Sequence, residues 1–121
     1  MTPQWYVANK DEAEFWTEER CYIAELLNDD ASPEASLAVA RVTPGVTTQL
    51  HKLAGISERY ILRKGGGVVE IDGESYPVKV GDQVMIPADA AQRITNTGEE
   101  DLEFYCLCVP RFRPESYIAL E

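Results

Sequence analysis

From Ser36 onward the chain is a succession of short apolar-rich runs, each stopped by a turn signal, and this rhythm is what most restricts its fold. SLAVARV (36–42) ends at Thr43-Pro44-Gly45, TTQLHKL (47–53) at Ala54-Gly55, and ERYILRK (58–64) at three glycines, Gly65 to Gly67. VVEI (68–71) meets Asp72-Gly73, ESYPVKV (74–80) ends at Gly81-Asp82, and QVMIP (83–87) precedes ADAA. QRITN (92–96) stops at Thr97-Gly98, and DLEFYCLCV (101–109) is the last long run. Short, evenly spaced strands of this kind predict an all-β sandwich or barrel. Asp72-Gly73 is a hairpin signal because the pair tolerates positive φ. Closing such strands into a barrel or jelly roll removes the sheet edges that invite aggregation.

The flanks read differently. NKDEAEFWTEER (9–20) is rich in Glu and Ala, with Asn9 or Asp11 available as a cap, and predicts one short N-terminal helix or turn. CYIAELL (21–27) begins with strand formers, and NDDASPEA (28–35) reads as a loop. The tail, 110–121, is expected to run extended over the outside. A length of 121 residues fits a single domain, with a barrel core at 36–109 between an N-terminal part (9–35) and the tail.

Charge and composition exclude some functions. With 21 acidic residues against 11 basic ones, the net charge of −10 repels a polyanion, so no nucleic-acid partner is expected. No apolar run approaches the roughly 20 residues that span a bilayer, so no membrane partner is expected either. The polar, acidic start lacks the pattern of a secretory signal, and a cytoplasmic location follows as the expectation. Cys21, Cys106 and Cys108 are an odd set without a CxxC pair, which predicts free thiols in a reducing compartment.

Period-two alternation sorts the side chains by face. If His51, the sole histidine, faces inward, so do Gln49 and Leu53. Glu58 travels with Tyr60 and Leu62, and Gln92 with Ile94 and Asn96. On the last strand Leu102, Phe104, Cys106 and Cys108 form an uncharged face, which is assigned inward. The result is an apolar chamber with a few polar groups, the usual make-up of a small-molecule site.

These residues resemble a known family. GVTTQLHKLAGISERYILRKG (45–65) is similar to the first cupin motif, G-x5-H-x-H-x3-4-E-x6-G, through Gly45, His51, Glu58 and Gly65. GDQVMIPADAAQRITN (81–96) is similar to the second, G-x5-P-x-G-x2-H-x3-N, through Gly81, Pro87 and Asn96. The resemblance implies a small double-stranded β-helix, a jelly-roll barrel, and a homodimer paired through outer sheets and terminal segments. Metal-binding cupins offer three histidines and a glutamate. Here Leu53 stands at the second histidine position, Gln92 at the third, and Asp89 at the glycine after the proline.

The candidate site is therefore His51, Glu58 and Tyr60 as catalytic groups, with Gln49, Gln92, Phe104, Cys106, Ile94 and Leu53 as the binding wall. His51, Glu58 and Gln92 are the candidate ligands of a divalent metal, zinc, manganese, nickel or iron. Without a metal, His51 is the base and Glu58 the acid in proton transfer on a small carbonyl or sugar-like substrate. Isomerase, lyase or dehydratase chemistry follows by analogy. A non-catalytic small-ligand-binding module is the alternative, and a metal-dependent dioxygenase is a third reading.

Overall fold

The structure, a computed structural model, describes Trp5 and residues 13–121. Its strands are β1 (Phe15–Trp16), β2 (Tyr22–Leu27), β3 (Ser36–Val42), β4 (His51–Leu53), β5 (Ser57–Lys64) and β6 (Gly66–Ile71). They continue with β7 (Glu74–Lys79), β8 (Gln83–Ile86), β9 (Gln92–Asn96), β10 (Leu102–Val109) and β11 (Tyr117–Ala119). A six-stranded sheet runs β1-β2-β3-β10-β5-β8, and a five-stranded sheet runs β11-β4-β9-β6-β7. All the pairings are antiparallel. The expected all-β jelly roll is what forms.

The alternation in the sequence becomes the two faces of each strand. Glu58, Tyr60 and Leu62 are buried along β5, and Gln92, Ile94 and Asn96 along β9. Leu102, Phe104 and Cys108 are buried along β10. One part of the sandwich is filled solid: Val42, Leu62, Ile94 and Leu102 interlock there with almost no exposed surface. The buried Asn96 is satisfied within this core. Its Nδ2 donates to the carbonyls of Val42 and Glu100, each at 2.8 Å. Its Oδ1 accepts from the Gly98 amide at 2.9 Å.

Two glycines show why the turns sit where they do. Asp72 and Gly73 both take positive φ, at 48° and 84°, and join β6 to β7 so that Ile71 pairs with Glu74. Gly65 has a φ of 76°, and a Cβ there would lie 2.7 Å from the Asp101 carbonyl oxygen. Any side chain at that corner would push β5 away from the β9–β10 connection. Pro77, which cannot donate to a ladder, sits on β7 at the edge of its sheet.

One expectation for the flanks is corrected. Over 13–20 there is no helix. Phe15 and Trp16 pair with Ile23 and Tyr22, and the chain reverses at Arg20, whose φ is 72°. The Thr17 amide donates to the Cys21 carbonyl at 3.0 Å, closing the hairpin. Tertiary pairing thus overrides the helix propensity of Glu and Ala. Residues 9–12 of the expected helix lie outside the described residues. The tail does run extended, and part of it is a strand: Tyr117, Ile118 and Ala119 pair with Leu53, Lys52 and His51 at the edge of the smaller sheet.

Candidate functional site

A cavity of about 470 Å³ opens between the two sheets. Its origin lies in side-chain volume. On the larger sheet β10 lies between β3 and β5, so Phe104 stands beside Ala40 and Leu62, Cys106 beside Ala38 and Tyr60, and Cys108 beside Ser36 and Glu58. Ser36, Ala38 and Ala40 all line the cavity. Three small residues in a row on β3 leave unfilled the space that larger ones would pack. The Tyr60 and Phe104 rings, 4.4 Å between centroids, belong both to the wall and to the solid core, and separate the hollow part from the filled part.

His51 enters from β4 and is 3% exposed. Its Nδ1 is 2.7 Å from the Gln49 carbonyl oxygen, which can only accept, so Nδ1 carries the hydrogen and the neutral ring's lone pair is on Nε2. The ring stacks on Tyr117 with centroids 4.6 Å apart and planes 19° from parallel. The Tyr117 hydroxyl in turn donates to the Gln49 side-chain oxygen at 2.7 Å. Backbone, ring and tail thus hold the imidazole in one orientation. Burial lowers its pKa below the ordinary value, and the hydrogen bond to Gln49 only partly offsets this.

Glu58 enters from β5 on the opposite sheet and also lines the cavity. The Cys108 thiol lies 3.6 Å from its Oε2, the Gln92 and Cys106 side chains are also near enough to act on it, and among the described residues its buried Oε1 has no hydrogen-bond partner of good geometry. Burial pushes its pKa up to about 8, and the negative charge of Glu19 adds to the shift. The Cys108, Gln92 and Cys106 side chains act in the opposite sense. At neutral pH this carboxyl therefore keeps its proton and is a donor.

Tyr60 and Gln92 form a bonded pair next to Glu58. The Tyr60 hydroxyl donates to Gln92 Oε1 at 2.6 Å, a bond between β5 on one sheet and β9 on the other. Gln92, 1% exposed, does not line the cavity, and neither does Ile94; both are packed behind the wall. Of the residues selected from sequence, His51, Glu58, Tyr60, Gln49, Leu53, Phe104 and Cys106 do come together on the wall. The thiols are poor nucleophiles, because burial raises the pKa of Cys21, Cys106 and Cys108 and nearby carboxyl groups raise it further.

Two site residues escape sequence reasoning. Tyr117 lies in the tail that was expected outside. Glu19, placed in a helix on sequence grounds, lies on the cavity wall, tied in where its carbonyl accepts the Gln49 amide at 2.9 Å. Burial alone raises its carboxyl pKa to about 7. The spacing between strands carried no signal for either one.

The donor set does not fit a tightly held divalent metal. Among the described residues no three His, Cys, Asp or Glu side chains converge. Leu53 offers no donor, Gln92 Oε1 already accepts from Tyr60, and an amide oxygen is a weak ligand for zinc or iron. Among the described residues no helix is long and apolar enough to cross a membrane.

Comparison with known proteins agrees with this fold. Residues 38–109 match the family model "Cupin domain". An uncharacterised protein of Methanocaldococcus jannaschii is 34% identical over 107 residues, 87% of this chain and 86% of its own length. An oxalate-binding protein of Thermotoga maritima is 34% identical over 89 residues, covering 72% of this chain and 74% of that protein. A solved structure of a predicted oxalate decarboxylase, also from Thermotoga maritima, superposes with a TM-score of 0.77 at 27% identity, over 88% of this chain and 99% of that one. A nucleoside dehydratase, PAC13 of Streptomyces, has a TM-score of 0.79 at 16% identity over 97% and 91% of the two chains, a likeness of fold alone.

Proposed function

This chain belongs to the cupin family, and from that premise we propose that its chamber binds a small polar molecule and moves a proton on it without a metal. One observation carries the reading: a neutral imidazole with its lone pair on Nε2 and a protonated carboxyl line the same cavity from opposite sheets. A base and an acid that are both ready at neutral pH are what abstraction of a proton next to a carbonyl requires. His51 Nε2 takes the proton from carbon while Glu58 gives its own to the carbonyl oxygen. The product is a neutral enol, the histidine now cationic and the glutamate anionic. In an α-hydroxy carbonyl compound the cationic His51 returns its proton to the former carbonyl carbon while the anionic Glu58 takes the proton of the neighbouring hydroxyl, which isomerises the substrate. In a β-hydroxy carbonyl compound His51 gives its proton to the departing hydroxyl, lost as water, while Glu58 takes back the enol proton, which makes the site a dehydratase. Tyr60 and Gln92 are positioning residues in this scheme, since each already holds the other.

Solvent-exchange NMR tests this directly. Deuterium incorporation at the α-carbon is followed for a panel of small hydroxyketones and aldoses in D₂O, alongside metal analysis of the same sample. The expected result is exchange on at least one compound at sub-stoichiometric metal, lost in both His51→Ala and Glu58→Gln. Exchange that tracks added metal, or survives both substitutions, refutes the scheme. Binding without exchange on any compound identifies a ligand-binding module instead. The oxalate of the Thermotoga relative does not carry over well, because among the described residues no lysine or arginine lines this cavity to meet a dianion.

A further inference from the structure

The cavity wall is one-sided in charge. Among the described residues Glu18, Glu19, Glu25 and Glu58 line it with no lysine or arginine, and His51, the one nitrogen base of the wall, is held neutral. Among the described residues nothing of opposite sign offsets Glu19: burial is the one influence on its carboxyl, and its negative charge is felt by Glu58, Tyr60, Tyr117 and the three thiols. A carboxyl placed on the wall of a chamber with no counter-ion is costly unless something else neutralises it. Deeper in, the buried Glu58 Oε1, on a residue only 7% exposed, has no hydrogen-bond partner of good geometry among the described residues. The rest of the wall includes aromatic rings, Phe15, Tyr60, Phe104, Phe112 and Tyr117, whose faces attract cations.

We propose that the physiological ligand is a small organic cation, a primary amine whose ammonium group sits against Glu19 between aromatic rings while its polar, reacting end meets Glu58 and His51. The assignment rests on the small-molecule reading above and names its ligand class. It divides the two carboxyls by task. Glu19, part-buried and next to the Tyr117–Gln49 pair, ionises as the ammonium arrives and releases a proton to solvent. Glu58 keeps its proton and donates it from Oε1 to an oxygen of the ligand. Anionic ligands, carboxylates included, are disfavoured by the same wall.

Three compounds that share one frame and one hydroxyl test the charge alone: 4-(aminomethyl)benzyl alcohol, 1,4-benzenedimethanol and 4-(hydroxymethyl)benzoate, with oxalate as a fourth. Isothermal titration at neutral pH is expected to rank the amine about tenfold or more above the diol, with no binding of either anion. Repeating the titration in buffers of different ionisation enthalpy is expected to show proton release with the amine only. Glu19→Gln removes both the preference and the proton release; Glu19→Asp, which keeps the charge, retains the preference. Glu58→Gln weakens amine and diol alike and leaves their order unchanged. If the diol binds as well as the amine, or the benzoate or oxalate binds better, the charge assignment is wrong and the small-molecule reading survives. If none of the four binds, the charge assignment is wrong, and the exchange experiment on hydroxyketones and aldoses decides the small-molecule reading separately.

Discussion

The Tyr60 hydroxyl donates to Gln92 Oε1 across 2.6 Å, and through it a strand of one sheet is bonded to a strand of the other directly behind the chamber wall. Both side chains are almost fully buried, Tyr60 at 4% and Gln92 at 1% exposure. A buried donor and acceptor that hold each other cost little; one left alone costs its full desolvation. Tyr60→Phe strands the Gln92 oxygen and is expected to lower unfolding stability by about 1–3 kcal/mol. Changing both residues, Tyr60→Phe with Gln92→Leu, is expected to recover part of that loss. Urea denaturation of the three variants checks it, and a double variant less stable than the sum of the two single losses would contradict the pairing.

Much of the fold could be read in advance because its information is local. Ser36–Val42 and Gln92–Asn96 form strands with the boundaries their turn residues imply, and Asp72-Gly73 makes the expected hairpin. His51 and Glu58 were also accessible, since a strand's alternation decides which residues share a face. Tyr117 and Glu19 were not. The Tyr117–Gln49 hydrogen bond spans 68 positions, and Glu19 reaches the wall through a carbonyl bonded to the Gln49 amide. Contacts of that range leave no period in either partner's own segment. Gln92 is a different case: alternation turned it inward, and on β9 inward places it in the packed layer behind the cavity, where its side chain meets Tyr60 and acts on the Glu58 carboxyl.

The Glu58 carboxyl gives the protein a characteristic dependence on pH. Its pKa is raised from an ordinary 4.5 to about 8 in the folded state, so the folded state holds this proton more tightly than the unfolded chain does. Its contribution to stability is fully present below 4.5 and is lost as pH rises through 8. His51 acts in the opposite sense on the acid side: its lowered pKa means stability is lost as pH falls below the ordinary 6.5. Above that point the carboxyl dominates, and stability is expected to fall by roughly 2 kcal/mol between about pH 6.5 and about pH 9. Glu19, also raised, adds to the slope. Denaturation midpoints of wild type and Glu58→Gln across this range provide the measurement. The variant should have the flatter profile, and parallel profiles would mean that the carboxyl is ionised in the fold.

The row Ser36, Ala38 and Ala40 makes the chamber by being small, so enlarging its middle member should close it. Ala38→Leu adds three heavy atoms on the cavity side of β3, beside Cys106. In a packed core such a change costs about 1–3 kcal/mol through overpacking. Facing a void it is expected to be neutral or stabilising, because new apolar surface is buried without displacing a neighbour. Thermal melting together with titration of 4-(aminomethyl)benzyl alcohol separates the cases. The expected result is an unchanged or higher Tm with ligand binding reduced by about tenfold or more. A marked drop in Tm would show that the space is already filled.

The tautomer of His51 can be read from its nitrogen shifts. The Gln49 carbonyl fixes the hydrogen on Nδ1, and burial keeps the ring neutral, so ¹⁵N-detected NMR at neutral pH should give a protonated-type shift for Nδ1 and an unprotonated one for Nε2. Because the chain has one histidine, the assignment needs no mutagenesis. On acidification the imidazolium should form only below the ordinary pKa of 6.5. Tyr117→Ala removes the stacked ring that covers one face and the hydroxyl that holds the Gln49 side chain. Better hydration then favours the charged form, and the titration midpoint should move up toward 6.5. A midpoint above 6.5 in the wild type, or the hydrogen on Nε2, would deny His51 the exposed lone pair its role as base requires.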